Sequence, residues 1–214
     1  TVALYRGDVA GYRRFLVSAK EISVGEADNL GADIKLAEAR KAFFADEDYD
    51  GAYMLADTAA VEYRREGGAL SYCEAALLAA RAALARGKPS ICRKVLSQAD
   101  LERRAHESKV FFASYNETAG LLLSIENDRG RAGTFLRAAA AAARELGLWL
   151  VGGECYLDLA ATTPDRDERE KYSRRALWLF KNKGATLLAE RAEKKIARVR
   201  AGEKDSARSG ARLV

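Results

Sequence analysis

The feature that most constrains this 214-residue chain is a helix ending that occurs three times, as TAAVEYRREGG at 58–68, RAAAAAARELG at 137–147 and RRALWLFKNKG at 174–184. In each copy an amphipathic run passes into charged residues and then glycine. Glycine takes up the left-handed conformation that closes a helix C-terminus without a Cβ penalty, so each copy predicts a helix stop. Gly67 and Gly147 lie 80 residues apart, and Gly147 and Gly184 lie 37 apart. The doubled first interval predicts one further unit inside it. The stretch SYCEAALLAARAALARGKPSICRKVLSQADLERRA at 71–105 supplies that unit, reading as a helix, a break at Gly87-Lys88-Pro89, and a second helix. A period of this length marks an array of stacked helical units, none of which can bury its apolar face alone.

Composition agrees with the period. Pro89 and Pro164 are the only prolines in a chain dense in Ala, Leu, Arg and Glu, which lose little freedom on entering a helix. Alternating Val, Ile and Thr runs bounded by turn signals are missing, so no sheet is expected. No apolar run approaches the length of a membrane span, and the N-terminus lacks a signal-peptide pattern, so no membrane partner is expected. Cys73, Cys92 and Cys155 form an odd, widely spaced set without a CxxC, which fits buried small apolar residues in a reducing cytoplasm. The chain starts at Thr1 and is expected to be a piece of a longer protein.

The helix pairs resemble tetratricopeptide repeats. In the third pair Asn116, Ala119, Gly120 and Leu123 precede Ala132, Leu136 and Ala139, with Gly120 at the point where the two helices cross. The second pair offers Ala75, Leu78, Ala79 and Ala82 with Ile91, Val95 and Gln98. The first offers Leu36, Ala39 and Phe43 with Ala52 and Ala59, but puts Arg40 where the family has a small residue and Ala56 where it has a bulky one. The fourth, with Tyr156, Leu157 and Ala160 before Arg169, Ser173 and Ala176, departs furthest. Second-helix anchors at 52, 91, 132 and 169 step by 39, 41 and 37 residues, longer than the family's usual 34 or so. The resemblance implies an all-α fold, a right-handed α-α superhelix of antiparallel helix pairs. The expected division is a half-repeat over 1–25, pairs over about 29–67, 69–104, 106–147 and 148–184, and a C-terminal capping helix over 185–201. A polar tail at 202–214 is expected to fray. Leu187, Leu188, Ala192, Ile196 and Val199 supply the apolar face of the cap.

Catalytic chemistry finds little to work with. His106, the single histidine, has Lys109 and Val110 at i+3 and i+4, so it cannot form a helix-borne metal face and reads as a surface residue. Gly87-Lys88-Pro89-Ser90 lacks the leading glycine of a phosphate-binding loop, and Gly152-Gly153 lacks the strand context of a dinucleotide site. The acidic run Asp46-Glu47-Asp48-Tyr49-Asp50 reads as a helix cap. No enzyme activity, cofactor or metal is expected. The net charge of +5 is a C-terminal property: residues 164–214 hold 15 Lys plus Arg against 8 Asp plus Glu, leaving 21 against 23 before them. Acids and bases interleave even there, as on solvated helix faces, which disfavours nucleic acid.

The resemblance places ligands on the concave side, lined by the first helix of each pair. On this register Lys41, Phe44, Arg81, Ser114, Glu117, Glu154 and Asp158 face a partner. The groove lacks the repeated Lys and Asn set that clamps a peptide carboxylate in chaperone-binding members. Trp149, Trp178 and Phe111-Phe112 read as packing between repeats. The expected function is a non-catalytic module that binds another protein or peptide within a larger bacterial signalling or transcription-control protein. A domain sensing a small effector in the groove is the alternative, and an RNA-binding helical repeat a weaker one.

Overall fold

A computed structural model describes residues 2–23 and 31–210, and among these residues every regular element is a helix. In order they are α1 (Val2–Tyr5), α2 (Val9–Ser23), α3 (Gly31–Lys41) with a π-helical extension (Ala42–Asp46), α4 (Tyr49–Glu66), α5 (Ala69–Ala85), α6 (Pro89–Leu96) and α7 (Ala99–Glu107). Then come α8 (Lys109–Ile125), α9 (Arg129–Glu145), α10 (Trp149–Thr162), α11 (Arg166–Asn182) and α12 (Thr186–Gly210).

The three glycine endings stop α4, α9 and α11, with Gly67, Gly147 and Gly184 at φ of 77°, 67° and 63°. Leu148 N–H donates to Ala143 O at 2.8 Å while Gly147 N–H donates to Arg144 O at 3.3 Å, the paired bonds of a Schellman cap. Asn127, at φ 63°, does the same for α8 without a glycine, since a short polar side chain tolerates the left-handed region. Starts are equally local. Asp48, Asp128 and Asp165 each accept the N–H three residues on, from Gly51, Arg131 and Glu168.

Neighbours in sequence pack in pairs: α3 with α4, α5 with α6, α8 with α9, and α10 with α11. The crossings are close because small residues stand there. A Cβ on Gly120 would lie 2.7 Å from Leu136 Cγ, and one on Gly153 would lie 2.4 Å from Phe180 Cε1, so α8 meets α9 and α10 meets α11 at glycine. In the first pair Ala39, Ala52, Ala56 and Ala59 are fully buried, while Arg40 turns aside to pair with Glu74 on α5. Cys73, Cys92 and Cys155 are buried and free.

Two boundaries differ from expectation. The second pair does not end at 104, because its second helix splits into α6 and α7, and α7 runs across 104–106 to Glu107. At the break Ser97 Oγ donates back to Lys94 O at 3.0 Å, and Gln98 is extended with its side chain accepting from the Tyr72 hydroxyl. Local side-chain bonding of this kind competes with the helix ladder. The last helix does not end at 201 but continues to Gly210. Gly202 inside it weakens a helix by about 1 kcal/mol relative to Ala without stopping it. Residues 24–25 of the first half-repeat and 211–214 of the expected tail lie outside the described residues.

First helices also touch one another in sequence, α3 to α5, α5 to α8, α8 to α10 and α10 to α12. The series then returns to its start, since α12 packs on α1 and on the π segment, and Thr186 Oγ1 donates to Arg6 O at 2.6 Å. What these helices enclose is the site.

A buried charge cluster and a groove with an exposed tryptophan

Six charged side chains from four helices, α5, α8, α10 and α12, meet where the first helices converge. Arg81 on α5 puts Nη1 at 3.1 Å from Glu117 Oε1 on α8, and Nη2 at 3.1 Å from Glu154 Oε2 on α10. Lys195 on α12 pairs with Asp158 on α10. Arg191, one turn before Lys195, lies over the Phe43 and Phe44 rings at 4.9 and 5.4 Å, and Arg81 lies over Phe43 at 5.5 Å. The π segment puts both phenylalanines there: its wider turn carries two consecutive aromatic residues into the core, where Tyr5 meets Phe44 edge to face at 5.3 Å.

Burial and charge pull the acids apart. Burial pushes the Glu117 carboxyl up to about 8, more than Arg81 can offset, with Glu154 and Asp158 adding to the rise. Burial likewise raises Asp158 against the pull of Lys195. Glu154 is also penalised by burial, yet Arg191, Arg81 and Lys195 outweigh that and hold it below its usual value. Burial works against the charge on Arg81, but Glu117, Glu154 and Asp158 more than compensate, so the guanidinium stays charged. The cluster is incompletely bonded. The Arg81–Glu117 contact is close but misaligned, leaving Glu117 Oε1 without a hydrogen-bond donor, and Arg81 Nε, Asp158 Oδ2 and Arg191 Nη1 lack partners too.

In front of this cluster lies a cavity of about 440 Å³. Leu77, Leu78, Phe111, Leu150 and Val151 wall it, Leu70 and Val110 stand at its solvent side, and Phe44, Arg81, Ser114 and Glu117 share its lining. Four of the seven residues expected on the concave face therefore converge on one hollow. Glu154 and Asp158 are drawn into the charge cluster. Lys41 is separate: it pairs with Asp46 in a different hollow lined by Arg13, Leu16 and Val17. Sequence reasoning missed Arg191 and Lys195, although they flank the apolar stripe of Leu188, Ala192 and Ile196 at a spacing of four. It also missed Phe43 as a cation platform.

A second hollow, of about 340 Å³, opens between α9, α10 and α11. Trp149, Tyr156, Trp178 and Leu179 line it with Arg144, Arg175 and Lys183, and among the described residues no carboxylate does. Trp178 is 63% exposed, which corrects the expectation that it packs between repeats. Tyr172 stacks on Tyr156 at 6.1 Å, and Arg175 lies 5.6 Å from the Tyr156 ring centre. Arg144, Arg175 and Lys183 form no ion pair among the described residues.

Among the described residues no group of three or more His, Cys, Asp or Glu is placed to hold a metal, and no helix is long and apolar enough to cross a membrane. His106 is exposed at the end of α7. No protein-family model matches the chain, and no curated protein matches it.

Proposed function

We propose that this chain is a non-catalytic interaction module, a divergent tetratricopeptide-like right-handed superhelix serving as a regulatory or scaffolding part of a larger, cytoplasmic bacterial protein of signalling or transcription control. The partner is a protein that docks a short acidic segment, carrying a bulky apolar side chain, into the groove of Trp178. One observation carries the reading. A largely exposed tryptophan stands among three cations that have no carboxylate partner among the described residues, which combines the aromatic anchor and the Arg that dominate interface energetics with a field of one sign.

A synthetic peptide with Phe and Leu flanked by Asp and Glu tests it by fluorescence anisotropy. The peptide binds the native chain, binds more weakly as salt rises, and loses roughly thirtyfold in affinity to Trp178→Ala, the loss usual for a tryptophan anchor of about 2 kcal/mol. Arg175→Glu weakens it as well. Equal binding of a version with Lys in place of the acids, or full binding to Trp178→Ala, would remove this interface.

A second reading, that the chain senses a small effector, is favoured by the inner cavity. Its walls are largely apolar, two residues at its solvent side are exposed hydrophobics, and a few polar side chains, Arg81, Ser114 and Glu117 among them, share its lining.

A further inference from the structure

Trp178 and Arg175 belong to an exposed stripe longer than their groove, and the chain carries a second stripe that matches it. On α11 Glu168, Lys171, Arg175, Trp178 and Asn182 follow one another at steps of three and four, and all five are exposed. On α4 Asp50, Met54, Asp57, Val61 and Arg64 follow at steps of four and three, and these are exposed too. Steps averaging about 3.5 residues keep side chains on one line of a helix, the seam along which two helices pack in a coiled coil. Large apolar residues on both lines face solvent: Met54 is 68% exposed, Val61 65% and Trp178 63%.

Laid antiparallel with Met54 on Trp178, the two lines pair along their whole length. Asp57 falls opposite Arg175, Arg64 opposite Glu168, and Val61 against the aliphatic stem of Lys171, while Asp50 falls opposite Asn182 and beside Lys183. Both charged rungs thus join opposite signs. Asp57, Glu168 and Arg175 form no ion pair among the described residues, so they have none to break on meeting. Arg64 lies 3.9 Å from Asp100, but each side chain of that pair is more than half exposed, and Asp50 already pairs with Arg86 at 2.5 Å. Laid parallel about the same Met54 contact, Val61 and Arg64 would run past the end of α11 at Asn182. Both lines face solvent in the folded chain, so they come together between molecules. Resting on the reading that the Trp178 groove takes an acidic segment with a bulky apolar side chain, we propose that this segment is α4 of a second copy of the chain, packed antiparallel on α11.

Sedimentation velocity from about 5 to 500 μM measures the self-association, expected with a dissociation constant on the order of 100 μM or tighter for an interface of this small size. Trp178→Ala weakens it about tenfold or more. Asp57→Arg and Arg175→Asp each weaken it about tenfold by setting like charges face to face, and the two in one chain restore it. Restoration separates a contact across the seam from damage to either helix, and the same exchange at Arg64 and Glu168 repeats the test one rung away. Circular dichroism establishes that each variant is folded. A native chain that stays monomeric to about 500 μM yet binds the acidic peptide would overturn the second copy and leave the groove reading standing. A monomeric chain that binds no peptide would overturn both. Self-association that Trp178→Ala leaves unchanged, or that neither charge exchange restores, would put the contact elsewhere and overturn the proposal.

Discussion

Replacing Glu117 by Gln should make the protein more stable at alkaline pH while changing it little in acid. Glu117 sits inside, on α8, facing Arg81 of α5, Glu154, Asp158 and Cys155 of α10, and Lys195 of α12. Its folded pKa lies at about 8 against a usual 4.5. A carboxyl raised in this way holds its proton longer folded than unfolded, so stability falls as pH climbs from 4.5 through about 8. Across that window the loss is on the order of 5 kcal/mol, at about 1.4 kcal/mol per pH unit between the two values. Gln keeps the shape and the neutral form, and the loss disappears with it. Asp158, also raised by burial, is coupled to Glu117, and losing that like charge in the variant favours its ionised form, which adds to the difference at alkaline pH without changing its sign. Urea unfolding followed by circular dichroism at about pH 5, 6.5 and 8.5 gives the two stability curves. Near pH 5 they should agree within about 1 kcal/mol, and by pH 8.5 the variant should lead by several. Parallel curves would mean that Glu117 ionises freely in the fold, and the argument from its burial would fail.

Lys195→Met leaves Asp158 buried without its cation, and urea unfolding should show a loss of about 3–5 kcal/mol that shrinks as pH falls and the aspartate takes a proton. Gly153→Ala puts a methyl against the Phe180 ring at the α10–α11 crossing, so its unfolding midpoint should drop by the equivalent of about 1–3 kcal/mol. Asp165→Ala removes the cap that accepts from Glu168 N–H at 2.7 Å, and calorimetry should register about 1 kcal/mol. Native Cys73, Cys92 and Cys155 should react with a thiol reagent slowly compared with the urea-unfolded chain, because all three are buried and burial pushes each thiol up, Cys92 to about 12.

The parts of the fold that were legible in the sequence are those decided within a few residues. Glycine stops at 67, 147 and 184 and the small crossing at Gly120 follow from local conformation and from contact between adjacent helices. Asn127 was legible in principle, since its side chain tolerates the left-handed region, but it does not stand out as glycine does. Splitting of α6 from α7 depends on a bond from Tyr72, 26 residues away, and no periodicity reports that. The site shows the same division. Phe44, Arg81, Ser114 and Glu117, which the family register puts on first helices, line one cavity. Arg191 and Lys195 could not be read from that register, because their partners lie on helices far earlier in the chain. Trp178 was misjudged for a related reason: an aromatic residue in an apolar segment reads as core until the neighbouring helix is seen to leave its face open.

The return of α12 to the start of the chain alters where a partner can go. In the register taken from the repeat family, the residues facing a ligand are those of the first helices, yet here Lys195 and Arg191 of the chain's own last helix already occupy Asp158, Glu154 and the Phe43 and Phe44 rings. A protein segment entering from the inner side would have to displace α12 and leave Asp158 without Lys195, at a cost of several kcal/mol, and Glu154 with Arg81 alone. It would also expose the apolar stripe of Leu188, Ala192 and Ile196, which is buried. A small molecule meets neither cost, because the cavity in front of Arg81 and Glu117 is present with α12 in place. The outer groove meets neither cost as well, since Trp178 is exposed already and its three cations pair with no carboxylate among the described residues. The two proposed sites are thus separated by energetics as much as by position: a small molecule fits inside with α12 in place, and an acidic segment fits outside, where the cations are exposed to it.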